Sequence, residues 1–339
     1  MELEPIDISG WDRGGAATRA RIAADVDAVC SDHGFLAITG HGLSADFGER
    51  VLDTAQRFFD RPLDEKMAYR PEAVSGNRGY SPPGIEALSY SRGEASPPDL
   101  FEAFNVGPER TPDGLDAATI AQFFHPNVWP DTPPELRSTL VHWFEACEGL
   151  GLRLLDVFAL ALGLPDRWFR SFFHRSPSVL RANHYRRSDG APPPEPGQQR
   201  MGAHSDYGSL TILLADDVPG LQIRDRSGEW HGVQPAAGTL FVNLGDLLAE
   251  WTNDRWHSTV HRVVPPPVDL PGDFRRRSVA WFQQPDHDAV IEVLSTCTDA
   301  SNPPRYPPTT AGEHLIGKLR GSRELEATGV AEQFLDHPD

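Results

Sequence analysis

Apolar residues recur at helical spacing in three stretches of the first half of the chain. They run from Thr18 to Cys30, from Ala45 to Phe59 and from Pro133 to Leu164. Each stretch places its apolar residues on one face of a helix, so we predict three amphipathic helices. Two short apolar runs, Ile6 to Ile8 and Phe35 to Thr39, predict strands. The first half is therefore expected to mix helices with strands.

After Pro165 the pattern changes to short apolar runs separated by turn residues. Six of these runs predict strands: Leu180–Tyr185, Leu210–Leu214, Leu221–Arg224, Leu240–Leu244, His257–Val264 and Ser278–Gln283. Six or more short strands are typical of a β-sandwich or a barrel. The fold class predicted for the whole chain is mixed α/β and mainly β.

Residues 71–98 are rich in glycine and proline, and their apolar residues follow neither helical nor strand spacing. Long loops of this kind often shape a substrate pocket, but a plain excursion over the surface fits the pattern equally well. The sequence leaves both interpretations open.

The composition limits the class of partner. The chain has 339 residues, 39% of them apolar and 24% charged, as in a folded globular protein with a sizeable core. Its net charge of -18 opposes non-specific attraction to nucleic acid or to an anionic membrane, although a local basic pocket could hold a small anion. We therefore expect neither nucleic acid nor a membrane as a partner.

The cysteines and the N-terminus bear on the compartment. Cys30, Cys147 and Cys297 lie far apart and form no CxxC pair, so they encode neither a disulfide framework nor a zinc knuckle. The N-terminus lacks a basic segment followed by an apolar run, and no stretch approaches the roughly 20 apolar residues of a membrane helix. We expect a cytoplasmic protein, with a monomer as the default state.

A candidate metal site begins in the segment Gly202 to Gly208, within the β-rich half. In an extended segment the i, i+2 spacing puts His204 and Asp206 on one face, where both could bind one ion. Alone, such a pair is more often hydrogen-bonded at a strand end than a metal site. A distant run, Ser258 to Val263, offers His261 as a third ligand. Two imidazoles and one carboxylate form the ligand set of non-haem Fe(II) oxygenases.

A second pair with the same spacing lies on the last predicted strand. Arg276 and Ser278 share one face of that strand, and a guanidinium beside a hydroxyl suits a carboxylate ligand. Read alone, Arg275 to Arg277 is more often a cluster of solvated arginines. Together with the histidine and aspartate pattern, the pair indicates a carboxylate-binding pocket near the metal site.

In this order the motifs resemble the isopenicillin N synthase-like branch of the 2-oxoglutarate-dependent oxygenases, over nearly the whole chain. The N-terminal motifs are Ile6-Asp7-Ile8, Gly34 to Gly42, Arg78-Gly79-Tyr80, Asp99 to Phe104 and Asn127 to Pro130. The C-terminal motifs are Asn183-His184-Tyr185, His204-Ser205-Asp206, Gly220-Leu221-Gln222, Asn243 to Asp246, His261-Arg262-Val263 and Arg276-Arg277-Ser278. As a set they are highly specific.

The resemblance implies a double-stranded β-helix core, the jelly roll of cupin-like proteins, preceded by a helical N-terminal region. It implies a single oxygenase domain over residues 1–339, with an N-terminal dioxygenase region at 1–130 and a catalytic core at 178–295. It also implies that His204, Asp206 and His261 bind Fe(II).

By the same resemblance, Arg276 and Ser278 hold the distal carboxylate of 2-oxoglutarate, Tyr185 assists them, and Asn183 lies near the end that chelates iron. One ambiguity concerns the third metal ligand. His257 precedes His261 by four residues, so both point the same way in a regular strand. The Arg262-Val263 that follows favours His261.

An enzyme of this family uses Fe(II), 2-oxoglutarate and O2 to oxidise a small metabolite, with release of succinate and carbon dioxide. Hydroxylation is the default outcome, and desaturation, epoxidation or ring closure stay open. Two other functions fit the motifs. One is an oxidase of the isopenicillin N synthase type that does not use 2-oxoglutarate, and the other is a redox-inactive, cupin-like metal-binding protein. A composition with only two lysines, Lys66 and Lys318, and the habits of the family favour bacterial secondary metabolism.

Candidate residues of the substrate pocket come from the long loop and from strands around the site. They are Tyr80, Ile85, Tyr90, Phe101, Phe104 and Phe282, with Leu180 and the stretch from Glu313 to Phe334 as further candidates. These aromatic residues favour an apolar or ring-containing substrate. However, Arg78, Arg92 and Arg186 could receive an acidic group, and Glu86, Glu94 and Glu102 could face an amine.

Overall fold

The computed structural model describes residues 3–71, 77–188, 190–267 and 272–324. The N-terminal elements are β1 (Ile6–Asp7), α1 (Ala16–Asp32), β2 (Phe35–Thr39), α2 (Ala45–Phe59), α3 (Leu63–Met67), β3 (Gly79–Ser81), β4 (Glu102–Val106), α4 (Ala117–Phe123) and α5 (Leu136–Ala161). A 3-10 turn at Leu88–Arg92 lies in the loop between β3 and β4. The three helices predicted from the apolar period are confirmed as α1, α2 and α5.

Local sequence sets the limits of these elements. Ser44 precedes α2, and its hydroxyl oxygen accepts a 3.2 Å hydrogen bond from the backbone N–H of Phe47, which satisfies one of the free donors of the helix. Gly34 turns the chain from α1 into β2 with φ +59, and a Cβ at this position would collide with the carbonyl of His257. Glycine therefore permits a close approach between the end of α1 and the segment at His257.

The C-terminal half is built mainly of strands. Its elements are β5 (Val179–Arg187), β6 (Met201–His204), β7 (Leu210–Ala215), β8 (Leu221–Arg224), β9 (Trp230–Gly232), β10 (Leu240–Leu244), α6 (Asp246–Trp251), β11 (His261–Val263), β12 (Phe274–Gln283), β13 (Val290–Ile291), β14 (Thr309–Thr310) and α7 (Ala311–Glu324). A large sheet has the order β1-β2-β10-β7-β12-β5-β4-β3, and a small one has the order β6-β11-β8-β9. Strands β13 and β14 form a separate pair.

One predicted strand is shorter than expected. The run His257–Val264 was expected to be extended throughout, but β11 begins only at His261. The residues before it bond to the end of α1 instead of to a strand: the N–H of His257 donates to the carbonyl of Cys30 at 3.1 Å, and the hydroxyl of Thr259 donates to the carbonyl of His33. These contacts take His257 away from the ladder that holds His261.

The two faces of the large sheet carry separate apolar cores. Alternate residues of its strands, such as Ile38, Ile212 and Trp281, pack with the helices on the outer face. The residues between them face the small sheet, where they form a second core: Phe35, Tyr185 and Phe241 meet Met201, Leu221, Ile223 and Val263. Two largely antiparallel sheets enclosing a shared interior are a jelly roll, as predicted.

The expectations for cysteines and membrane helices can be checked on the described residues. Cys30, Cys147 and Cys297 are all buried free thiols. Within residues 3–324, apart from the gaps given above, no helix is both long and apolar enough to cross a bilayer.

Candidate metal centre

His204, Asp206 and His261 meet between the two sheets. His204 ends β6 and pairs in register with His261, the first residue of β11. Oδ1 of Asp206 lies 3.8 Å from Nε2 of His204 and 3.9 Å from Nε2 of His261. All three side chains are buried. Their ligand atoms therefore surround one point, as a single bound ion requires.

Backbone carbonyls orient both imidazoles. Nδ1 of His204 lies 2.8 Å from the carbonyl oxygen of Gly202, and Nδ1 of His261 lies 3.0 Å from that of Thr259. Each contact suits a proton on Nδ1, which leaves the lone pair of Nε2 towards the cluster. Burial, together with the charge of His261, lowers the pKa of His204. The imidazole is therefore held in the neutral form that binds metal.

The carboxylate of Asp206 is oriented in the same way. Its Oδ2 accepts hydrogen bonds from the hydroxyl of Thr211 at 2.5 Å and from the side-chain amide of Asn243 at 2.6 Å. Burial by itself raises the pKa of Asp206, but the two histidines and these two donors bring it below its usual value. The aspartate is therefore ionised, with Oδ1 directed at the histidines.

Thr211 and Asn243 were not predicted as site residues. They pair directly across β7 and β10, on the inner face of the large sheet. Both stand in otherwise apolar runs, Leu210–Ala215 and Leu240–Leu244. A polar residue in a buried apolar strand is a signal that could have found them, because buried polar groups need partners.

The second predicted cluster lies on two paired strands of the large sheet. Arg276 and Ser278 of β12 stand opposite Tyr185 and Asn183 of β5, respectively, and all four side chains are buried. The Arg276 guanidinium carbon lies 5.1 Å from the ring centre of Tyr185, and the amide of Asn183 donates to the Ser278 hydroxyl at 3.5 Å. The four residues predicted around the co-substrate are thus brought together.

This pocket has unused hydrogen-bonding capacity. Nε and Nη1 of Arg276 and Oδ1 of Asn183 are buried and have no hydrogen-bond partner in the described part of the chain. Buried guanidinium N–H groups without an acceptor are unfavourable, and a carboxylate would satisfy them. The residues present therefore fit an anionic co-substrate.

Two of the six predicted pocket residues, Phe101 and Phe282, face the space between the large and the small sheet. Phe101 belongs to the inner core, with its ring centre 6.0 Å from that of Tyr185. Phe282 lies on the same face of β12 as Arg276 and Ser278, paired with Thr211. Tyr90 is buried within the 3-10 turn, where its hydroxyl donates to the carbonyl of Ser96 at 3.3 Å. That turn packs against β6.

The other pocket predictions need correction. Tyr80 and Phe104 point to the outer face of the large sheet: the Tyr80 hydroxyl donates to Glu102 at 2.5 Å, and the Phe104 ring packs on Phe58. The alternation of β3 and β4 puts them on the opposite side from Phe101. Ile85 is 45% exposed on the loop surface.

Most of the further candidates also lie elsewhere. Leu180 belongs to the outer core, and the Arg78 guanidinium donates to the backbone carbonyls of Asn77 and His125. The other charged candidates form ion pairs: Arg92 with Glu94, Arg186 with Asp273, and Glu102 with Lys66. Residues 313–324 belong to α7, which packs on the 3-10 turn, and residues 325–334 lie outside the described residues. Glu86 differs from these, because it pairs with Arg181 on the inner face.

Comparison with known proteins identifies the family. Residues 3–132 match the family model described as the N-terminal region of non-haem dioxygenase in morphine synthesis, and residues 176–285 match that of the 2OG-Fe(II) oxygenase superfamily. The 2-oxoglutarate-Fe(II) type oxidoreductase hxnY of Emericella nidulans is 34% identical over 339 residues, covering 98% of this chain and 94% of the relative. The chain belongs to the 2-oxoglutarate–Fe(II) oxygenase superfamily.

Solved structures agree with this membership. A full-length protein of Neurospora crassa, in complex with alpha-KG, superposes with a TM-score of 0.82 at 31% identity, covering 94% of this oxygenase and 96% of the Neurospora protein. A further structure of the same Neurospora protein holds alpha-KG and thymine, with a TM-score of 0.80. The predictions of an Fe(II)/2-oxoglutarate-dependent oxygenase, of its co-substrates 2-oxoglutarate and O2, and of a double-stranded β-helix are confirmed. The roles of the individual residues stay predictions.

Proposed function

We propose that His204, Asp206 and His261 hold the Fe(II) of this oxygenase. The observation that carries the proposal is the convergence of two Nε2 atoms and one carboxylate oxygen of three buried residues between the sheets. In each ligand the atom that points away from the cluster makes a hydrogen bond: Nδ1 in the two histidines and Oδ2 in Asp206. These bonds direct the three ligand atoms at the same point. This is the facial ligand set that leaves coordination positions open for other ligands.

We further propose that Arg276, Ser278 and Tyr185 hold the distal carboxylate of 2-oxoglutarate, with Asn183 near the iron-binding end. The unpartnered nitrogens of Arg276 support the anion site, and the pairing of Ser278 with Asn183 continues it along the sheet. When bound, iron and 2-oxoglutarate supply the activation of O2 and the oxidative decarboxylation to succinate and carbon dioxide. The chain binds and orients these groups and shields them from water.

The prime substrate is a small metabolite, and hydroxylation is the outcome we favour. The name of hxnY supports an oxidation, and the thymine complex of the Neurospora protein supports a small molecule as the substrate, since both proteins resemble this chain over nearly their whole length. We also propose a single domain over residues 1–339, because β1 to β4 complete the same sheet as the core strands. A cytoplasmic monomer acting in secondary metabolism, without nucleic acid as a partner, completes the proposal.

An anaerobic titration of the metal-free protein tests the assignment without knowledge of the substrate. Fe(II) is added first and 2-oxoglutarate second, and the visible charge-transfer band of the chelate is recorded. Wild-type protein should give a saturable band, and Asp206→Ala should give none. Iron binding without any band would favour the oxidase that does not use 2-oxoglutarate, and absence of iron binding would favour another role for the cluster.

A further inference from the structure

Arg181 faces the space between the two sheets, next to the residues proposed to bind 2-oxoglutarate. It lies on β5, two residues before Asn183, so both side chains share the inner face. Its partner in register on β12 is Ala280, which stands between Ser278 and Phe282 on that face. Phe282 in turn pairs with Thr211, the residue that orients Asp206. Arg181 is therefore placed beside the metal centre, on the far side of Asn183 from Arg276.

Arg181 does not stand alone. Nη2 of Arg181 donates to Oε1 of Glu86, which also accepts a 2.7 Å hydrogen bond from the hydroxyl of Ser81. The guanidinium carbon lies 4.9 Å from the ring centre of Phe101. The Arg181 side chain is 14% exposed and that of Glu86 is 27% exposed. The two form a compact ion pair on an aromatic support, with part of each group still accessible.

The loop backbone connects this pair to the first metal ligand. The N–H of Asp99 donates to the carbonyl of Glu86 at 2.7 Å. The Asp99 carboxylate packs closely on the backbone of Gly202, since a Cβ added at this glycine would lie only 3.1 Å from Oδ1 of Asp99. The carbonyl of Gly202 in turn contacts Nδ1 of His204. Glu86 is thus held close to the metal centre by a continuous set of contacts.

Two polar atoms beside the pair have no partner. Nε of Arg181 and Oδ1 of Asn105 are buried without a hydrogen bond in the described residues, and the two residues face each other across β5 and β4. One atom is a donor and the other is an acceptor. A ligand group that offers an acceptor next to an N–H would satisfy both, in place of a bridging water, whereas an apolar group would leave both unsatisfied.

We propose that Arg181 and Glu86 form the recognition site for the prime substrate, and that they select an uncharged, flat group carrying adjacent C=O and N–H, such as an amide, a lactam or a nitrogen heterocycle. The proposal rests on the function proposed above, since it places this group beside the iron. Arg181 and Glu86 are specificity-determining residues in this scheme.

The ion pair itself argues against a charged substrate group. The carboxylate of Glu86 already balances the charge of Arg181, so an incoming carboxylate would be repelled by Glu86 and an incoming cation by Arg181. A neutral amide uses the free hydrogen-bonding edges of both groups without breaking the pair. Phe101, which carries the Arg181 guanidinium on its ring, and Phe282 on the same face of the sheet add apolar aromatic surface that suits a ring-containing partner.

Three probes of the same shape test this selection: benzamide, benzoate and benzamidine, which differ in charge and in the donors and acceptors that they offer. Their dissociation constants are measured anaerobically by ligand-observed NMR on protein saturated with Fe(II) and 2-oxoglutarate, which keeps benzoate away from Arg276. Benzamide should bind at least about tenfold more tightly than either charged analogue. Arg181→Leu should weaken benzamide binding by at least about tenfold while the charge-transfer band is kept. The matched control is Arg186→Leu, an exposed arginine on the outer face of the same strand.

Glu86→Gln provides a second and opposite test. Without the carboxylate, Arg181 carries an unbalanced charge, so benzoate should overtake benzamide. Tighter binding of benzoate or benzamidine to the wild type would overturn the proposal. So would unchanged benzamide binding in Arg181→Leu, an unchanged order of affinity in Glu86→Gln, or no binding of benzamide at about 10 mM. The two proposals can fail separately. If benzamide binding depends on Arg181 but the protein shows no charge-transfer band, the iron and 2-oxoglutarate assignment is refuted and the recognition role of Arg181 and Glu86 is retained.

Discussion

The side-chain amide of Asn243 donates a 2.6 Å hydrogen bond to Oδ2 of Asp206, the carboxylate oxygen that faces away from the two histidines. With Thr211 on the same oxygen, this bond fixes the carboxylate and directs Oδ1 at His204 and His261. The relationship links a strand on the large sheet to a ligand beyond the end of the small sheet. It also explains a polar residue in the middle of an apolar strand.

Asn243→Ala should weaken Fe(II) binding by roughly 10- to 100-fold, because a ligand without its supporting hydrogen bond must be ordered when the ion binds. Anaerobic titration gives the affinity. The matched control is Asn127→Ala, which removes a side-chain amide bonded to Gly107 away from the site. Equal iron affinity in the Asn243 variant and the control would contradict the positioning role.

His261→Ala should abolish tight iron binding, and His257→Ala should leave it unchanged. The ring of His261 meets His204 and Asp206, whereas that of His257, which precedes β11, contacts Arg226. Metal content after dialysis, measured on both variants side by side, decides between them. Loss of iron in His257→Ala with retention in His261→Ala would exchange the third ligand.

Arg276→Leu should weaken 2-oxoglutarate binding by about 100-fold or more and change the iron affinity by no more than about threefold, because the distal carboxylate loses its charged partner. The charge-transfer band reports 2-oxoglutarate, and a separate titration reports iron. Arg275→Leu is the control, since Arg275 lies next in sequence but pairs with Asp60 and Asp273. An effect of Arg276→Leu on the prime substrate alone would favour the oxidase alternative.

Sequence patterns predicted the main helices and most core strands, and they singled out the three residues that meet in the candidate metal cluster. The apolar period predicts α1, α2 and α5 because each helix buries one apolar face in the outer core. His204 and Asp206 meet as their i, i+2 spacing predicted, although β6 ends at His204 and Asp206 lies just beyond it. The choice of His261 over His257 could not come from spacing. It depends on contacts that residues 257–259 make with the end of α1, a segment more than 200 residues earlier in the sequence.

The pocket was less predictable for a related reason. Whether Tyr80 or Phe101 points inward depends on the register of β3 and β4, and the loop between these strands carries no periodic pattern that fixes it. Arg181 was missed because an arginine near the start of a strand resembles a solvated surface residue. Only its register with Asn105 and its pairing with Glu86 reveal the inward position.

Glu102→Gln should destabilise the fold by about 3–5 kcal/mol, because it leaves the buried Lys66 ammonium without its charged partner. Glu102 accepts hydrogen bonds from Lys66 at 2.6 Å and from Tyr80 at 2.5 Å, and its second oxygen lies 2.8 Å from Nδ1 of His184. Denaturant unfolding measures the change. Glu109→Gln, which breaks a pair with the exposed Arg137, should lower stability by no more than about 1 kcal/mol, and an equal loss in both variants would contradict the argument.

Asp99 should make stability depend on pH in the acidic range. Burial is the main reason that its pKa rises from 3.8 to about 6. The folded state therefore holds the proton more tightly than the unfolded state, so this stabilising contribution is complete below about pH 4 and is lost as the pH rises through about 6. Asp99→Asn keeps an acceptor for the N–H of Leu88, 3.0 Å away, but does not ionise.

Relative to wild type, the Asp99→Asn variant should therefore gain stability between about pH 4 and pH 7, by up to about 3 kcal/mol. Unfolding of the metal-free protein by denaturant, followed across this range, measures the difference. Asp113→Asn serves as the control, because Asp113 is exposed in the loop before α4. If the difference between Asp99→Asn and wild type stays constant with pH while the control behaves as wild type, then the Asp99 carboxylate is ionised in the folded protein throughout the range. In that case the contact between the loop and Gly202 is made by a charged group, and its burial must be balanced by a donor from the loop or from β6.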